Sequence, residues 1–250
     1  MVGLVSIVTP SYNSAKYITE TIQSVQKQTY QNWEWMIIDD GSTDNTVALV
    51  EVFAKKDTRI KLIPLKFNAG PSKARNIGIN KIKGEYMTFL DADDIWFPDF
   101  IENSIKTIQS TKIPFVFSSY KRSDEDLNFI YSDFIVPQRV NYYDILKSNS
   151  ISCLTAFLDI SVLGKKQMPE IKKRQDMGLW LQYLKEIPFA YGIQEPKAIY
   201  RIRKHSLSRN KKRLIKYQWQ FYRDVENLSV LSSVYYMFQW MYRGILKYKN

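Results

Sequence analysis

Tyr86-Met87-Thr88-Phe89-Leu90-Asp91-Ala92-Asp93-Asp94 sets an apolar run directly against three carboxylates in four positions. Tyr86 to Leu90 reads as a buried strand. Carboxylates at the end of such a strand are costly unless a cation neutralises them. Oxygen-only ligands suit a hard divalent ion, Mg²⁺ or Mn²⁺, above all one shared with substrate phosphates. The other reading is a turn ahead of the helix that begins near Pro98, since Asp-x-Asp triplets are common turn chemistry. The place after a strand favours the ion, because ligands of open α/β sheets bind beyond the strands' carboxyl ends.

Toward the N-terminus, strand and helix alternate. Leu4 to Val8 is an expected strand, stopped at Thr9-Pro10. Tyr17, Ile18, Ile22 and Val25 then recur at helical spacing, with Asn13 or Ser14 as the expected N-cap. Trp33 to Ile38 is a second strand ending in Asp39-Asp40-Gly41-Ser42, and Thr43 or Asp44 caps a helix through Val47, Val50 and Phe53. Ile60 to Leu65 is a third strand, and Ala69-Gly70-Pro71 opens a helix with Pro71 in its first turn. The alternation predicts an α/β fold with a mainly parallel sheet and helices on both faces. Three polar loops, at Thr9 to Tyr12, Asp39 to Ser42 and Asp91 to Asp94, then share one sheet edge and one crevice. Adjacent Asp39 and Asp40 repel, so one of them is expected to hold loop backbone.

The second half is less regular. Phe115 to Phe117 and Ser152 to Leu158 read as strands, residues 121–142 as loop, Gln175 to Leu184 as helix, and Ala198 to Ile202 as a short strand. Three regions are expected: 1–110 and 111–208 as the two halves of one domain, and 209–250 as a basic, aromatic helical segment. With 250 residues the chain can bury a full core. Its single cysteine, Cys153, excludes an internal disulfide framework and fits a reducing compartment. No cleaved signal and no run long enough for a membrane span is read from the sequence.

The ordered set Thr9-Pro10-Ser11-Tyr12-Asn13, Asp39 to Asp44, Gly70-Pro71-Ser72-Lys73-Ala74-Arg75-Asn76 and Leu90 to Asp94 resembles the family-two glycosyltransferases with the GT-A fold. Arg174-Gln175-Asp176 before Leu179-Trp180-Leu181, then Tyr200 to Arg203, resembles the bacterial members that build capsule, teichuronic acid and O-antigen chains. The resemblance implies a nucleotide-diphosphate sugar, UDP-linked, as donor and an inverting displacement onto a glycan or lipid-linked glycan. Thr9, Pro10, Tyr12, Asp40, Arg75, Asp91 and Ala92 would bind the donor, with the Tyr12 ring on the base and Asp40 on its imide. For Arg75 the alternative is a solvated helix face. Asp93 would ligate Mn²⁺ or Mg²⁺ with Asp94 in support, and His205 is a further candidate for the metal or the diphosphate. Arg203 to Ser206 would close over the donor. Asp176 would be the base on the acceptor hydroxyl, against the alternative that it caps its helix. Glu170 and Glu195 are the other acids of that region.

The net charge of +11 is concentrated: residues 201–250 hold twelve Lys and Arg against two acids. Asn227 to Tyr242 is then uncharged and rich in aromatics. That composition suits a segment lying in a membrane interface, which the resemblance would place on the inner, cytoplasmic face of a bacterial plasma membrane. The alternative is packing on the domain or a homodimer. Nucleic-acid binding is not expected, since no recognition motif accompanies the charge. Rival functions are transfer to polyprenyl phosphate and a membrane-bound scaffold that kept the fold without catalysis.

Overall fold

The structure, a computed structural model, describes residues 3–129, 131–203 and 211–247. Strand β1 (Val5–Ser11) is buried but for Pro10 and pairs parallel with β2 (Trp33–Asp39) on one side and β4 (Tyr86–Phe89) on the other. β3 (Ile60–Pro64) extends the sheet beyond β2, again parallel. The inner three strands are covered on both faces, so they read as continuous apolar runs.

Side-chain alternation divides them between two cores. Ile7, Trp35 and Ile37 join α1 (Ile18–Gln26) and α2 (Thr46–Lys56), whereas Val8, Met36 and Ile38 join α3 (Pro71–Lys81). Gly78 lets α3 lie close on β1: a Cβ there would stand 2.5 Å from Val8 Cγ1. β5 (Ile95–Trp96) follows the acidic stretch, and α4 (Phe100–Thr111) adds Ile101, Ile105 and Ile108 to the first core.

The sheet continues into the second half. β8 (Phe157–Asp159) runs antiparallel between β4 and β6 (Phe115–Ser123). β9 (Ala190–Arg201) lies parallel to β6, and both β5 and β7 (Arg139–Val140) pair antiparallel with β9. Among the described residues the order is β3-β2-β1-β4-β8-β6-β9-β5, with β7 also on β9: one mixed, mainly parallel sheet. α5 (Tyr142–Lys147), α6 (Ile160–Leu163) and α7 (Gln175–Leu184) cover the second core, and α8 (Lys211–Gln220) and α9 (Val230–Lys247) follow β9.

Four sequence expectations are corrected. α1 begins at Ile18 and not after Asn13 or Ser14, because the Ser14 carbonyl first closes a turn onto the N–H groups of Tyr17 and Ile18. Ser152 to Leu158 is a 3-10 turn at Cys153–Thr155 followed by the short β8, not one strand. The strand expected at Ala198 starts eight residues earlier, at Ala190, and crosses the polar stretch Gln194 to Lys197. Within residues 121–142, β6 runs on to Ser123 and β7 adds a second paired segment.

Candidate active site

The carboxyl ends of β1, β2 and β4 form one crevice, and its loops are tied to one another. Asn13 accepts from the Thr43 N–H through Oδ1 (2.8 Å), and its own N–H donates to Ser42 Oγ (2.9 Å). Asp44 Oδ2 accepts from the Ala15 N–H (3.1 Å), and its other oxygen holds Thr46 at the start of α2. Both aspartates after β2 grip backbone or hydroxyl donors. Asp39 accepts from the Ser42 N–H (2.8 Å), Ser42 Oγ (2.5 Å) and Ser11 Oγ (3.1 Å). Asp40 accepts from the N–H groups of Ala69 (2.7 Å) and Gly70 (2.8 Å), which fixes the loop opening α3. Directly after them, Gly41 has φ +75°, and a Cβ there would meet the Phe67 carbonyl carbon at 2.9 Å.

Some residues expected to touch the donor lie below the crevice. The Thr9 hydroxyl is buried, donating to the Leu90 carbonyl (2.6 Å) and accepting from Trp35 Nε1 (2.8 Å). Ala92 packs in the first core, and its carbonyl accepts from Thr21 Oγ1 (3.1 Å). Asp40 is 3% exposed with both oxygens engaged. All three shape the walls of the crevice through these internal contacts. Pro10 is half-buried at the rim, and the Tyr12 ring is exposed there.

The acidic stretch is neutralised one carboxylate at a time. Arg75 is buried, not on a solvated face, and its Nη2 meets Asp91 Oδ1 at 2.5 Å. Burial alone would lower the guanidinium's pKa, but the charge of Asp91, with Cys153 and Asp176 beyond, holds it above its ordinary value. Asp93 pairs with Arg203 (Oδ2–Nε 2.7 Å). Its carboxyl is still raised, by burial first, with Asp91 adding repulsion against the pull of Arg203. Asp94 lies deepest: Oδ1 accepts from the Arg201 N–H (2.9 Å), while the buried Oδ2 has no hydrogen-bond partner. Burial and the charges of Asp93 and Asp91 push it well above the ordinary carboxylate range. Burial likewise keeps the Cys153 thiol protonated.

Asp176 approaches from the other half of the chain, in the first turn of α7. It is not the helix cap: Arg174 holds that place, with φ +70° and no side-chain cap bond. Asp176 Oδ2 accepts from Asn149 Nδ2 (3.0 Å). Because Arg75 feels both Asp91 and Asp176, the donor-side acids and the α7 acid share one electrostatic environment. Glu195, the other acid near β9, is bound to Lys197 (2.8 Å) and 69% exposed. Glu170 lines a neighbouring cleft of about 660 Å³, together with Gly70, Lys73, Lys172, Gln175 and Tyr217. Asn149 carries no motif in the sequence, and only the fold brings it to Asp176. His205 lies outside the described residues.

Among the described residues, no three acidic, histidine or cysteine side chains converge on a ready-made ion site. The donor set nonetheless suits a hard cation that draws its remaining ligands from phosphate oxygens. Asp93 is the carboxylate at the crevice, and beneath it the buried Asp94 Oδ2, which has no hydrogen-bond partner, is an oxygen with coordination to spare.

A mainly parallel sheet with acids after β2 and β4 at a shared edge, faced by a carboxylate on α7, is the GT-A arrangement of nucleotide-sugar enzymes. Residues 6–162 match the model of Glycosyl transferase family 2, and the chain belongs to that family. It is 36% identical over 244 residues to a putative teichuronic acid biosynthesis glycosyltransferase, TuaG, of Bacillus subtilis, covering 98% of this chain and 97% of that one. It is 38% identical over 253 residues to WfgD of Escherichia coli, a UDP-Glc:α-D-GlcNAc-diphosphoundecaprenol β-1,3-glucosyltransferase, covering 99% and 97%. The fold is also that of TarS from S. aureus, solved with UDP-GlcNAc, at TM-score 0.73 and 20% identity over 95% of this chain and 71% of that chain.

Proposed function

We propose that the protein is an inverting glycosyltransferase that moves a sugar from a UDP-sugar to a hydroxyl of a lipid-linked glycan. It would work at the inner face of the plasma membrane, in the synthesis of cell-surface polysaccharide. The observation that carries this reading is the pairing of two kinds of acid around Arg75: Asp91, gripped by the guanidinium, and Asp176, bonded to a neutral amide. The name of the Escherichia relative supports the donor nucleotide and the lipid-linked acceptor, and that of the Bacillus relative supports polysaccharide synthesis.

Tyr12 offers an exposed ring for the base, and Arg75 holds Asp91 in place after β4. Mg²⁺ or Mn²⁺ would be held through Asp93, with Asp94 and His205 in support. Such an ion takes up charge on the departing nucleoside diphosphate. Arg203, two residues beyond β9 and paired with Asp93, would supply a second positive group toward the same phosphates. On the acceptor side, the Asn149 amide occupies Asp176 Oδ2, which leaves Oδ1 to take the proton from the attacking hydroxyl.

The test is turnover of a panel of nucleotide sugars with a short-chain lipid-diphosphate GlcNAc acceptor, followed by NMR of the product's anomeric centre. A β-linked product from an α-configured UDP-sugar, lost with chelator and restored by Mn²⁺, is expected. A retained configuration, or transfer unaffected by chelator, would contradict the mechanism.

A further inference from the structure

α9 is apolar on two faces. Ser233 and Met237 are buried, and Tyr236, Met237 and Trp240 pack into the second core. The opposite face carries Leu231, Val234, Tyr235, Phe238, Met241 and Tyr242, exposed by 42–84%. Their spacing forms one stripe along about three turns of helix. Single exposed apolar side chains are ordinary, but a continuous stripe marks a surface that something covers.

Charge and composition identify the cover. α9 contains no acidic residue, and neither does α8, whose sequence includes Lys211, Lys212, Arg213 and Lys216. Lys216 is exposed, and exposed Arg243 directly follows Tyr242 on the stripe. Of the two acids between these helices, Glu226 is bound by Lys185 (2.9 Å) and Tyr142 (2.7 Å). Two copies meeting face to face would bring two such basic segments together with no acidic patch to answer them. An anionic bilayer supplies both counterparts: acyl chains for the stripe and headgroups for the cations, with tyrosines at the boundary. No helix among the described residues is long and apolar enough to cross a membrane, so α9 would lie on the surface.

We infer that the outward face of α9 is a docking surface for anionic phospholipid, with α9 flat in the headgroup region. Its inner shoulder reaches the site: the Arg174 guanidinium sits 5.4 Å from the centroid of the Trp240 ring, two residues before Asp176. Docking therefore seats the Asp176 side of the crevice toward the bilayer. This orientation rests on the reading of Asp176 as the acceptor-side base; the docking itself does not.

The experiment sediments the full chain with vesicles of phosphatidylglycerol and phosphatidylcholine, and with phosphatidylcholine alone. Binding to the anionic vesicles is expected, falling by more than about tenfold in Leu231→Ser/Phe238→Ser/Tyr242→Ser. It should also fall with added salt and in Lys216→Glu/Arg243→Glu. UDP binding in solution should be unchanged in each variant, which separates a failure of docking from a failure of the catalytic reading. Equal sedimentation of parent and triple variant would overturn the inference. So would a parent dimer, seen by light scattering, that ignores vesicles and that the triple variant splits. Should the triple variant not fold, Phe238→Cys carrying an environment-sensitive dye decides, since the native Cys153 is buried. A blue shift with anionic vesicles alone supports docking, and an unmoved spectrum contradicts it.

Discussion

The carboxylates on the two sides of the crevice are held in opposite ways. On the β4 side, Asp91 and Asp93 are each clamped by a guanidinium, at 2.5 Å and 2.7 Å, and Asp94 is sealed beneath them. On the α7 side, Asp176 accepts from the uncharged amide of Asn149. An arginine clamp favours the charged carboxylate, although at Asp93 burial and the charge of Asp91 outweigh the pull of Arg203. A neutral amide orients a carboxylate while leaving its charge available. The difference fits the proposed division of labour, in which the β4 acids would manage the charge of the donor and Asp176 a proton.

The comparison breaks most severely at Asp93. Asp93→Asn is expected to abolish transfer and to remove the metal-supported part of UDP binding, measured by calorimetry with and without Mn²⁺. Near-normal turnover of the variant in chelator would end the metal assignment.

Arg75 tests whether the clamp is structural. Breaking a buried ion pair from one side costs about 3–5 kcal/mol, and the partial exposure of Asp91 places Arg75→Met near about 3 kcal/mol. Denaturant unfolding reads this directly. A loss under about 1 kcal/mol would mean that Asp91 and Arg75 are held apart by solvent.

Asp94 gives a smaller effect with a definite sign. Its folded-state carboxyl is raised above the ordinary value, so the folded chain holds that proton more tightly than the unfolded chain does. The associated stability is present below the ordinary carboxylate value and is lost as pH rises through the raised one. In chelator, the parent's melting temperature should therefore fall more than that of Asp94→Asn as pH rises above the ordinary carboxylate value of about 4. A steeper fall in the variant would show that Asp94 is stabilised as an anion. The smallest expected change is at Asn149: Asn149→Ala frees Asp176 to rotate and should lower turnover by about tenfold or less, with donor affinity unmoved.

The two halves of the chain also differ in how much of them could be read from sequence. β1, β2 and β4 are local apolar runs divided by helices with strong start signals, such as Pro71 after Gly70, so their places follow from neighbours in the chain. β8 is three residues long and exists because β4 and β6 flank it. β9 passes through Gln194-Glu195-Pro196-Lys197 with shifted register, and its buried Lys197 is rescued by Asp99 (2.6 Å), nearly a hundred residues away. No local pattern announces such a strand. The site divides likewise. The acids stand in motifs, but that Arg203 meets Asp93, or that Asn149 meets Asp176, depends on β9 and α7 reaching the sheet edge. The buried fates of Thr9 and Ala92 were hidden for the same reason, since a short polar or small residue after a strand can face either way.

Asp176 carries the central claim, and one paired measurement on Asp176→Asn tests it most directly. UDP affinity by calorimetry and the single-turnover transfer rate should be taken on the same protein, with Mn²⁺ present. The asparagine keeps the size and can keep a contact to Asn149, so a proton acceptor is removed with little else. Donor affinity should match the parent, while the rate falls by about 10²–10⁴-fold, the usual contribution of a positioned base. A rate within a few-fold of the parent, or a loss of UDP affinity parallel to the loss of rate, would contradict the assignment and move the search for the base to Glu170 in the adjoining cleft.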